Sequence, residues 1–200
     1  NLPRCLLKFH KGIDAVTFHP VSYDAVHSMV DFDKFCNENV KTLVALEDLG
    51  RGSTGKAWLC VTVTKPRSAS CVLKFDNKNS RSTNLMRELV KWHELYPEFA
   101  SMVRLEHWSG ADALVMPHFS TVLEHEREQY KDKLVAVLTT NFMEKQKVHK
   151  DVRWRNIGKY IKSGEVALVV FDLNDVVDYN VDDHCDWIDN AMKMLYAGDS

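Results

Sequence analysis

The amino-acid sequence predicts an α+β protein in which a five-stranded antiparallel sheet precedes a mainly helical region. Three observations support this fold class. Three strand-like segments follow one another from Lys41, and a helical segment at 84–95 separates them from two further strands. Beyond residue 120 the apolar positions are mostly spaced for helices.

Composition excludes several classes of protein. The 200 residues carry a net charge of −2, with 45% hydrophobic and 27% charged side chains, which is typical of a globular domain and not of disorder. No apolar run is long enough for a membrane helix, so we expect no membrane partner. The near-neutral charge gives no global argument for nucleic-acid binding. Because the sequence begins at Asn1 and not at Met, we expect a piece of a longer protein.

The five cysteines are scattered and form no CxxC pair. This pattern predicts reduced, buried thiols in a reducing intracellular compartment and not a disulfide framework.

The chain divides into three predicted parts. Residues 1–40 form an N-terminal extension with a helical segment from Tyr23 to Val40, residues 41–119 hold the sheet, and residues 120–200 form the second region. In order, the predicted elements are the strands LVALEDL, AWLCVTVT and ASCVLKF, the helix at 84–95, the strands MVRLEHW and ALVMPHF, a helical stretch at 120–147, the buried strand VALVVFDL and a helix at 186–196.

A glycine cluster, GRGSTGKA, follows the first strand and fits two phosphate-binding patterns, GxGxxG and most of GxxxxGK[ST]. The second pattern needs a helix after the lysine and a hydroxyl ligand for magnesium, whereas here Ala57 and a strand follow. We therefore favour the first, with a phosphate-binding role for Gly50, Gly52, Ser53, Gly55 and Ala57. The alternative is a hairpin turn that binds no ligand.

Lys74 lies inside the apolar strand segment CVLKF, where an ammonium group is costly unless it is paired. In phosphoryl-transfer sites such a lysine holds the α- and β-phosphates and pairs with a glutamate on the next helix. Glu88 and Glu94 are both available, and we prefer Glu88 because it lies early in the helix. The alternative is a solvent-exposed lysine on an edge strand.

The segment HKDVRWRN fits the pattern HxDxxxxN. In phosphoryl-transfer loops of this pattern, Asp151 would accept the proton of an attacking hydroxyl, Asn156 would ligate magnesium and Arg153 would neutralise the transferred phosphoryl group. His149 would fix the loop by hydrogen bonds instead of titrating. Asp172 ends an apolar strand 21 positions after Asp151, where a second magnesium ligand is expected. The alternative for Asp172 is an ordinary carboxylate at a strand end.

From Gly50 to Asn174 the chain resembles the protein-kinase-like superfamily, on the motifs GRGSTGKA, VLK, RELV, HKDVRWRN and FDLN. The form DVRWRN followed by FDLND is similar to the kinase-like C-terminal domains of Crinkler effectors. This resemblance implies a two-lobe kinase-like fold that binds ATP and Mg²⁺, with residues 41–119 as the N-lobe and 120–200 as a truncated C-lobe. It also implies an adenine-binding hinge at 114–119, with Met116 and His118 near the base, and a secreted protein that acts in the host nucleus.

Two departures from the family pattern are visible. The usual DFG motif is Asp172-Leu173-Asn174 here, so the flexible glycine is absent. Only 26 residues follow Asn174, which leaves no room for the helices that bind peptide substrates and anchor the catalytic loop.

Three functions remain open at the level of sequence. The first is a minimal kinase that phosphorylates itself, a protein or a small molecule, and the second is a pseudokinase that binds nucleotide or a partner without catalysis. The third is single-stranded nucleic-acid contact through a mixed basic and aromatic set: Lys145, Lys147, Lys150, Arg153, Trp154 and Arg155.

Overall fold

The computed structural model describes residues 43–51, 55–64, 67–76, 83–108, 111–180 and 186–197 as a mixed α and β fold with antiparallel sheets. The predicted N-terminal extension, with its helix from Tyr23 to Val40, lies outside the described residues. Cys5, Cys36 and Cys185 lie outside them as well.

The first half of the described chain forms a five-stranded antiparallel sheet with the strand order β1-β2-β3-β5-β4. Its strands are β1 (Leu43–Arg51), β2 (Gly55–Thr64), β3 (Arg67–Asp76), β4 (Arg104–Trp108) and β5 (Ala111–Pro117). The predicted meander of three strands and the two further strands are confirmed by these pairings. Segments rich in β-branched and aromatic residues form the strands because such side chains pack well on a pleated surface.

Helix α1 (Thr83–Leu95) connects β3 to β4, as the sequence predicts. Its buried side chains recur every three or four residues, so they share one face of the helix: Leu85, Glu88, Trp92 and Leu95. One glutamate therefore lies on an otherwise apolar face, which requires a buried partner.

The second half contains two small sheets and two helices. Strands β6 (Ser120–Thr121), β8 (Ile157–Lys162) and β9 (Glu165–Val170) form one sheet, and β7 (Lys147–His149) and β10 (Val176–Asp178) form the other. The helices are α2 (Lys131–Val137), which continues as a π-helical turn at Leu138–Phe142, and α3 (Trp187–Tyr196). The strand at 165–170 and the helix at 187–196 confirm two predicted elements.

The prediction that residues 120–147 are helical throughout is wrong. The stretch begins with β6, which pairs with Gly158 and Lys159, and contains short separate 3₁₀ turns before α2. Gln146 adopts a left-handed conformation (φ 56°) that ends the helical part, and β7 follows. Local propensity favours a helix here, but pairing with a distant strand decides the ends of the segment.

Strand β8 was not predicted. It forms a hairpin with β9 through Ser163 and Gly164, both of which have positive φ (53° and 81°). This is the backbone conformation of two-residue hairpin turns, which match the twist of the flanking strands.

An aromatic core joins the five-stranded sheet to the second half. Trp92 of α1 stacks on Phe119 at 6.1 Å between ring centroids, and Phe119 contacts Tyr160 of β8 at 6.0 Å. The Tyr96 hydroxyl accepts the backbone N–H of Val170 at 2.9 Å. A Cβ atom at Gly158 would overlap Phe119, so only glycine allows this close approach.

Two cysteines lie directly opposite each other on β2 and β3. Cys60 and Cys71 are both free and fully buried. Burial raises the pKa of Cys71 to about 12, so its thiol stays protonated at neutral pH. The predicted reduced, buried thiols are confirmed for this pair.

None of the helices in the described part of the chain combines the length and apolar character needed to span a membrane.

Candidate active site

The sheet register aligns the glycine segment with the buried lysine. Gly50 lies opposite Ala57 in the β1–β2 pair, and Ala57 lies opposite Lys74 in the β2–β3 pair. Strand β2 begins at Gly55, so the expected strand after the glycines is confirmed and a helix-starting phosphate loop is excluded. Gly52 and Ser53, two of the predicted phosphate-binding residues, lie outside the described residues.

Gly55 has a structural reason to be glycine. A Cβ atom at this position would overlap the carbonyl oxygen of Phe75 on the neighbouring strand. The close approach of β2 and β3 therefore requires glycine whether or not a ligand binds, and both interpretations of the glycine cluster stay open.

Lys74 lies between two carboxylates from distant parts of the chain. Its Nζ is 2.9 Å from Oε2 of Glu88 and 2.6 Å from Oδ1 of Asp172. The predicted pairing with Glu88 is confirmed, whereas Glu94 lies near Lys147 at 3.4 Å. Helix α1 turns Glu88 inward, where its side chain is 0% exposed, and Asp172 comes to the same lysine from the end of β9.

The electrostatics of this cluster leave a surplus of negative charge. Burial acts to lower the pKa of Lys74, but the charges of Glu88 and Asp172 outweigh it and raise that pKa. Burial raises the pKa of Glu88, against the attraction of Lys74. Since one ammonium faces two carboxylates, a bound cation beside Asp172 would relieve this imbalance.

Asp172 has an unusual backbone. Its φ of 60° and ψ of 55° lie in the left-handed region, which costs a non-glycine residue roughly 1–2 kcal/mol. Such strain persists only where surrounding contacts determine the conformation, and it clusters at functional sites. A 3₁₀ turn at Leu173–Asp175 follows at once.

Helix α1 contacts this turn through a second residue. The Nζ of Lys91 donates to the carbonyl oxygens of Leu173, Asn174 and Val176 at 2.9, 3.0 and 2.8 Å. The Nδ2 of Asn174 donates to Oε2 of Glu88 at 2.7 Å. Sequence reasoning missed both contacts, because a lysine beside Val90 and Trp92 gives no signal of partners more than 80 positions away.

His149 is buried and holds the HKDVRWRN segment by hydrogen bonds. Its Nδ1 accepts the backbone N–H of Asp151 at 3.1 Å, so its Nε2 carries the proton and donates to the carbonyl oxygen of Phe171 at 3.1 Å. Burial lowers the pKa of His149, which keeps the ring neutral at neutral pH. The predicted structural use of this histidine agrees with these contacts.

Both carboxylate oxygens of Asp151 are engaged. Oδ1 lies 2.5 Å from Nε of Arg153, and Oδ2 accepts from Arg155 and from Nδ2 of Asn156, each at 3.1 Å. Partial burial acts to raise the pKa of Asp151, but the hydrogen bond from Arg155 and the charges of both arginines hold it below its usual value. The two arginine side chains are 53% and 66% exposed, so they can leave the carboxylate at little cost.

The two residues expected to hold Mg²⁺, Asn156 and Asp172, lie at adjacent ends of the β8–β9 pair. The backbone carbonyl of Asn156 accepts the N–H of Phe171 at 2.9 Å, so Asn156 lies opposite the residue before Asp172. Among the described residues no group of three or more His, Cys, Asp or Glu forms a metal cluster. Mg²⁺ needs less than this, because it binds through one or two protein oxygens together with substrate phosphates and water. One carboxylate and one amide oxygen fit that requirement.

Helix α3 anchors the HKDVRWRN segment, which corrects the expectation that the residues after Asn174 leave no room for a helix that holds this loop. The indole Nε1 of Trp154 donates to the carbonyl oxygen of Leu195, and that of Trp187 donates to the carbonyl oxygen of His149, both at 3.0 Å. Trp154 is buried in the core. Its ring is therefore not available to stack on a nucleic-acid base.

The two predicted adenine contacts lie at the end of β5. Met116 is buried and pairs with Val72, two residues before Lys74, and His118 is half-buried just after the strand. Met116 and His118 therefore lie close to the part of the sheet that holds Lys74. Their contact with an adenine base stays a prediction.

Comparisons with known proteins give one family match. The model of a family described as "Family of unknown function (DUF5898)" matches residues 48–160, more than half of the chain. No curated protein matches the sequence. Among solved structures, the crystal structure of a Plasmodium kinase domain is similar at 12% sequence identity and a TM-score of 0.47. The match covers 68% of this chain and 51% of that one, so the chain spans about half the length of that domain.

Proposed function

The chain belongs to the DUF5898 family of unknown function, and from that premise we propose that it binds ATP with Mg²⁺ and transfers the γ-phosphoryl group. One observation carries the proposal. A buried lysine, Lys74, is paired with Glu88 on the next helix and with Asp172 at the end of a later strand, beside the Asp151–Asn156 segment. A buried ammonium with two carboxylates is costly to maintain for stability alone, and it fits phosphate and metal binding well.

In this proposal the acceptor hydroxyl attacks the γ-phosphorus, the bond to the ADP oxygen breaks, and the proton of the hydroxyl passes to Asp151. Lys74 holds the α- and β-phosphates, and Arg153 leaves Asp151 to neutralise the transferred group. Asn156 and Asp172 hold Mg²⁺, which would supply charge neutralisation at the phosphate oxygens.

The remaining predicted contacts complete the nucleotide site. Backbone amides of the glycine cluster (Gly50, Gly52, Ser53, Gly55 and Ala57) would cover the phosphates, and Met116 and His118 would contact adenine. Under this proposal residues 41–119 are an N-lobe, 120–200 a small C-lobe and 1–40 an extension.

The motifs DVRWRN and FDLND support a Crinkler-like effector, secreted and then acting in the reducing interior and nucleus of a host cell.

A non-catalytic nucleotide-binding module is the second candidate, and one observation favours it. Asp151 has both oxygens engaged by Arg153, Arg155 and Asn156, so a hydroxyl reaches this base only after an arginine leaves. If the arginines stay, the site binds nucleotide and the module works through a partner. Nucleic-acid contact is less favoured, since Trp154 is buried and its indole donates to Leu195.

The test compares the wild type with Asp151→Asn and with Asp175→Asn, a matched control at an exposed carboxylate on the neighbouring turn. Calorimetry measures MgATP binding, and radiolabelled ATP measures phosphoryl transfer to the protein, to added protein and to water. We expect MgATP binding in all three proteins, and turnover that falls at least about 100-fold in Asp151→Asn alone.

Turnover that survives Asp151→Asn would refute the proposed base. Binding without turnover in the wild type would support the non-catalytic candidate. If neither MgATP binding nor turnover is found, the assignment of the nucleotide site is wrong.

A further inference from the structure

The contact of Lys91 with the turn after Asp172 is unusually complete. Its ammonium has three protons, and the three carbonyl oxygens of Leu173, Asn174 and Val176 lie within 3.0 Å of Nζ. A lysine on a helix surface ordinarily points to solvent, because ordering its long side chain costs conformational entropy. Here the Lys91 side chain is ordered by three hydrogen bonds to a single turn of the chain.

Glu88 adds a second connection from the same helix. Residues three positions apart lie on one face of a helix, so Glu88 and Lys91 face the turn together. Glu88 accepts from Lys74 on β3 and from Asn174 on the turn. Strand β3, helix α1 and the turn are thereby tied to one another through charged hydrogen bonds, which are stronger than neutral ones.

The turn needs such support because of the backbone of Asp172. Its left-handed conformation is unfavourable for aspartate, and no glycine in the turn relieves it. In this conformation Oδ1 of Asp172 meets Nζ of Lys74 at 2.6 Å. The bonds that Lys91 and Asn174 form at this turn oppose relaxation of that backbone.

We propose that Lys91 and Asn174 are positioning residues that fasten helix α1 to the turn at 173–176 and so hold Asp172 in its metal-binding orientation. The inference rests on the proposed function, because that function places a metal at Asp172. It adds that the site is already assembled in the protein without nucleotide. Asn174 holds the turn through its bond to Glu88, at a position where a glycine would give the backbone more freedom.

The chain offers a matched control for Lys91. Lys145 also donates to backbone carbonyls, those of Glu94 and Leu95 at 2.7 and 2.9 Å, but these belong to the end of α1 and not to the turn. Lys145→Met therefore removes the same kind of contact without touching Asp172. Asn174→Ala is a second variant that breaks the connection from the other side.

The first measurement is hydrogen exchange of the peptide covering 171–178 in nucleotide-free protein. We expect exchange to rise roughly tenfold or more in Lys91→Met and Asn174→Ala, and to stay unchanged in Lys145→Met. The second measurement is the ratio of ATP affinity with and without Mg²⁺. We expect that ratio to fall about tenfold in the two turn variants, while metal-free ATP affinity stays within about twofold.

Unchanged exchange in both turn variants would overturn the inference, because the turn would then hold itself. Faster exchange with an unchanged magnesium ratio would also overturn it, since the residues would stabilise the turn without positioning Asp172. If the wild type itself shows no magnesium-dependent ATP binding, the proposed function fails, and hydrogen exchange still decides whether the two residues fasten the turn.

Discussion

The two ends of the candidate site hold their charges in opposite ways. At one end Lys74, Glu88 and Asp172 form a largely buried cluster in which each group has fixed partners from other elements. At the other end Asp151 is paired with Arg153 and Arg155, two exposed side chains from its own loop. The first arrangement depends on the whole fold, whereas the second depends on local sequence.

The difference suggests a division of work between the two ends. A buried cluster resists rearrangement, which suits the binding of phosphates and a metal that must always meet the same geometry. Exposed ion pairs contribute little to stability and exchange partners easily, which suits the place where an acceptor must enter. Each prediction below breaks or sharpens this contrast, beginning with the largest expected effect.

Lys74→Met should have the largest effect on stability. Removal of the ammonium leaves Glu88 fully buried without its counter-charge, so we expect a loss of about 3–5 kcal/mol in the free energy of unfolding. The double variant Lys74→Met/Glu88→Met removes both charges and should recover most of that loss. Urea unfolding monitored by circular dichroism measures both. A loss below about 1 kcal/mol for the single variant would contradict a buried, obligatory pair.

Trp154→Phe tests how far the Asp151 end of the site depends on the hydrogen bond from Trp154 to helix α3. A smaller aromatic ring replaces the indole and the donor to Leu195 is lost, and the unsatisfied buried carbonyl alone should cost about 1–3 kcal/mol. Trp187→Phe, at the more exposed bond to His149, is the matched comparison and should cost less. Equal losses in the two variants would show that burial does not distinguish these bonds.

The pH dependence of stability should report on His149. Burial lowers its pKa in the folded protein, so the unfolded chain binds the proton more readily. The stabilising effect is complete above the unfolded pKa of about 6.5 and is lost as the pH falls below it, with a slope of at most about 1.4 kcal/mol per pH unit. Urea unfolding between pH 5 and 8 should show this slope in the wild type and in the exposed control His125→Gln. The slope should disappear in His149→Gln.

Arg153→Gln should have the smallest effect. Because the arginine is largely exposed, loss of its pair with Asp151 should change the free energy of unfolding by less than about 0.5 kcal/mol. The same holds for Arg155→Gln, which serves as the parallel variant. A loss above about 1 kcal/mol in either case would mean that the two ends of the site are built alike.

The parts of the structure that sequence predicts well are those with local signals. Strand composition and helical spacing predict the five-stranded sheet, helix α1 and the partner of Lys74, since a buried lysine requires a buried carboxylate. Strand β8 was missed because GKYIK contains a glycine and two lysines, and its register is set by pairing with β9. Lys91 was missed because its partners lie more than 80 positions along the chain.

The indole bond from Trp154 to Leu195 also has a consequence for biosynthesis. Leu195 follows Trp154 by 41 residues, so the loop emerges from the ribosome well before its anchor does. At a synthesis rate of about 5–20 residues per second the interval is roughly 2–8 seconds. During that time Trp154 lacks the helix that buries it, and a nascent chain at this stage presents an aromatic surface to chaperones.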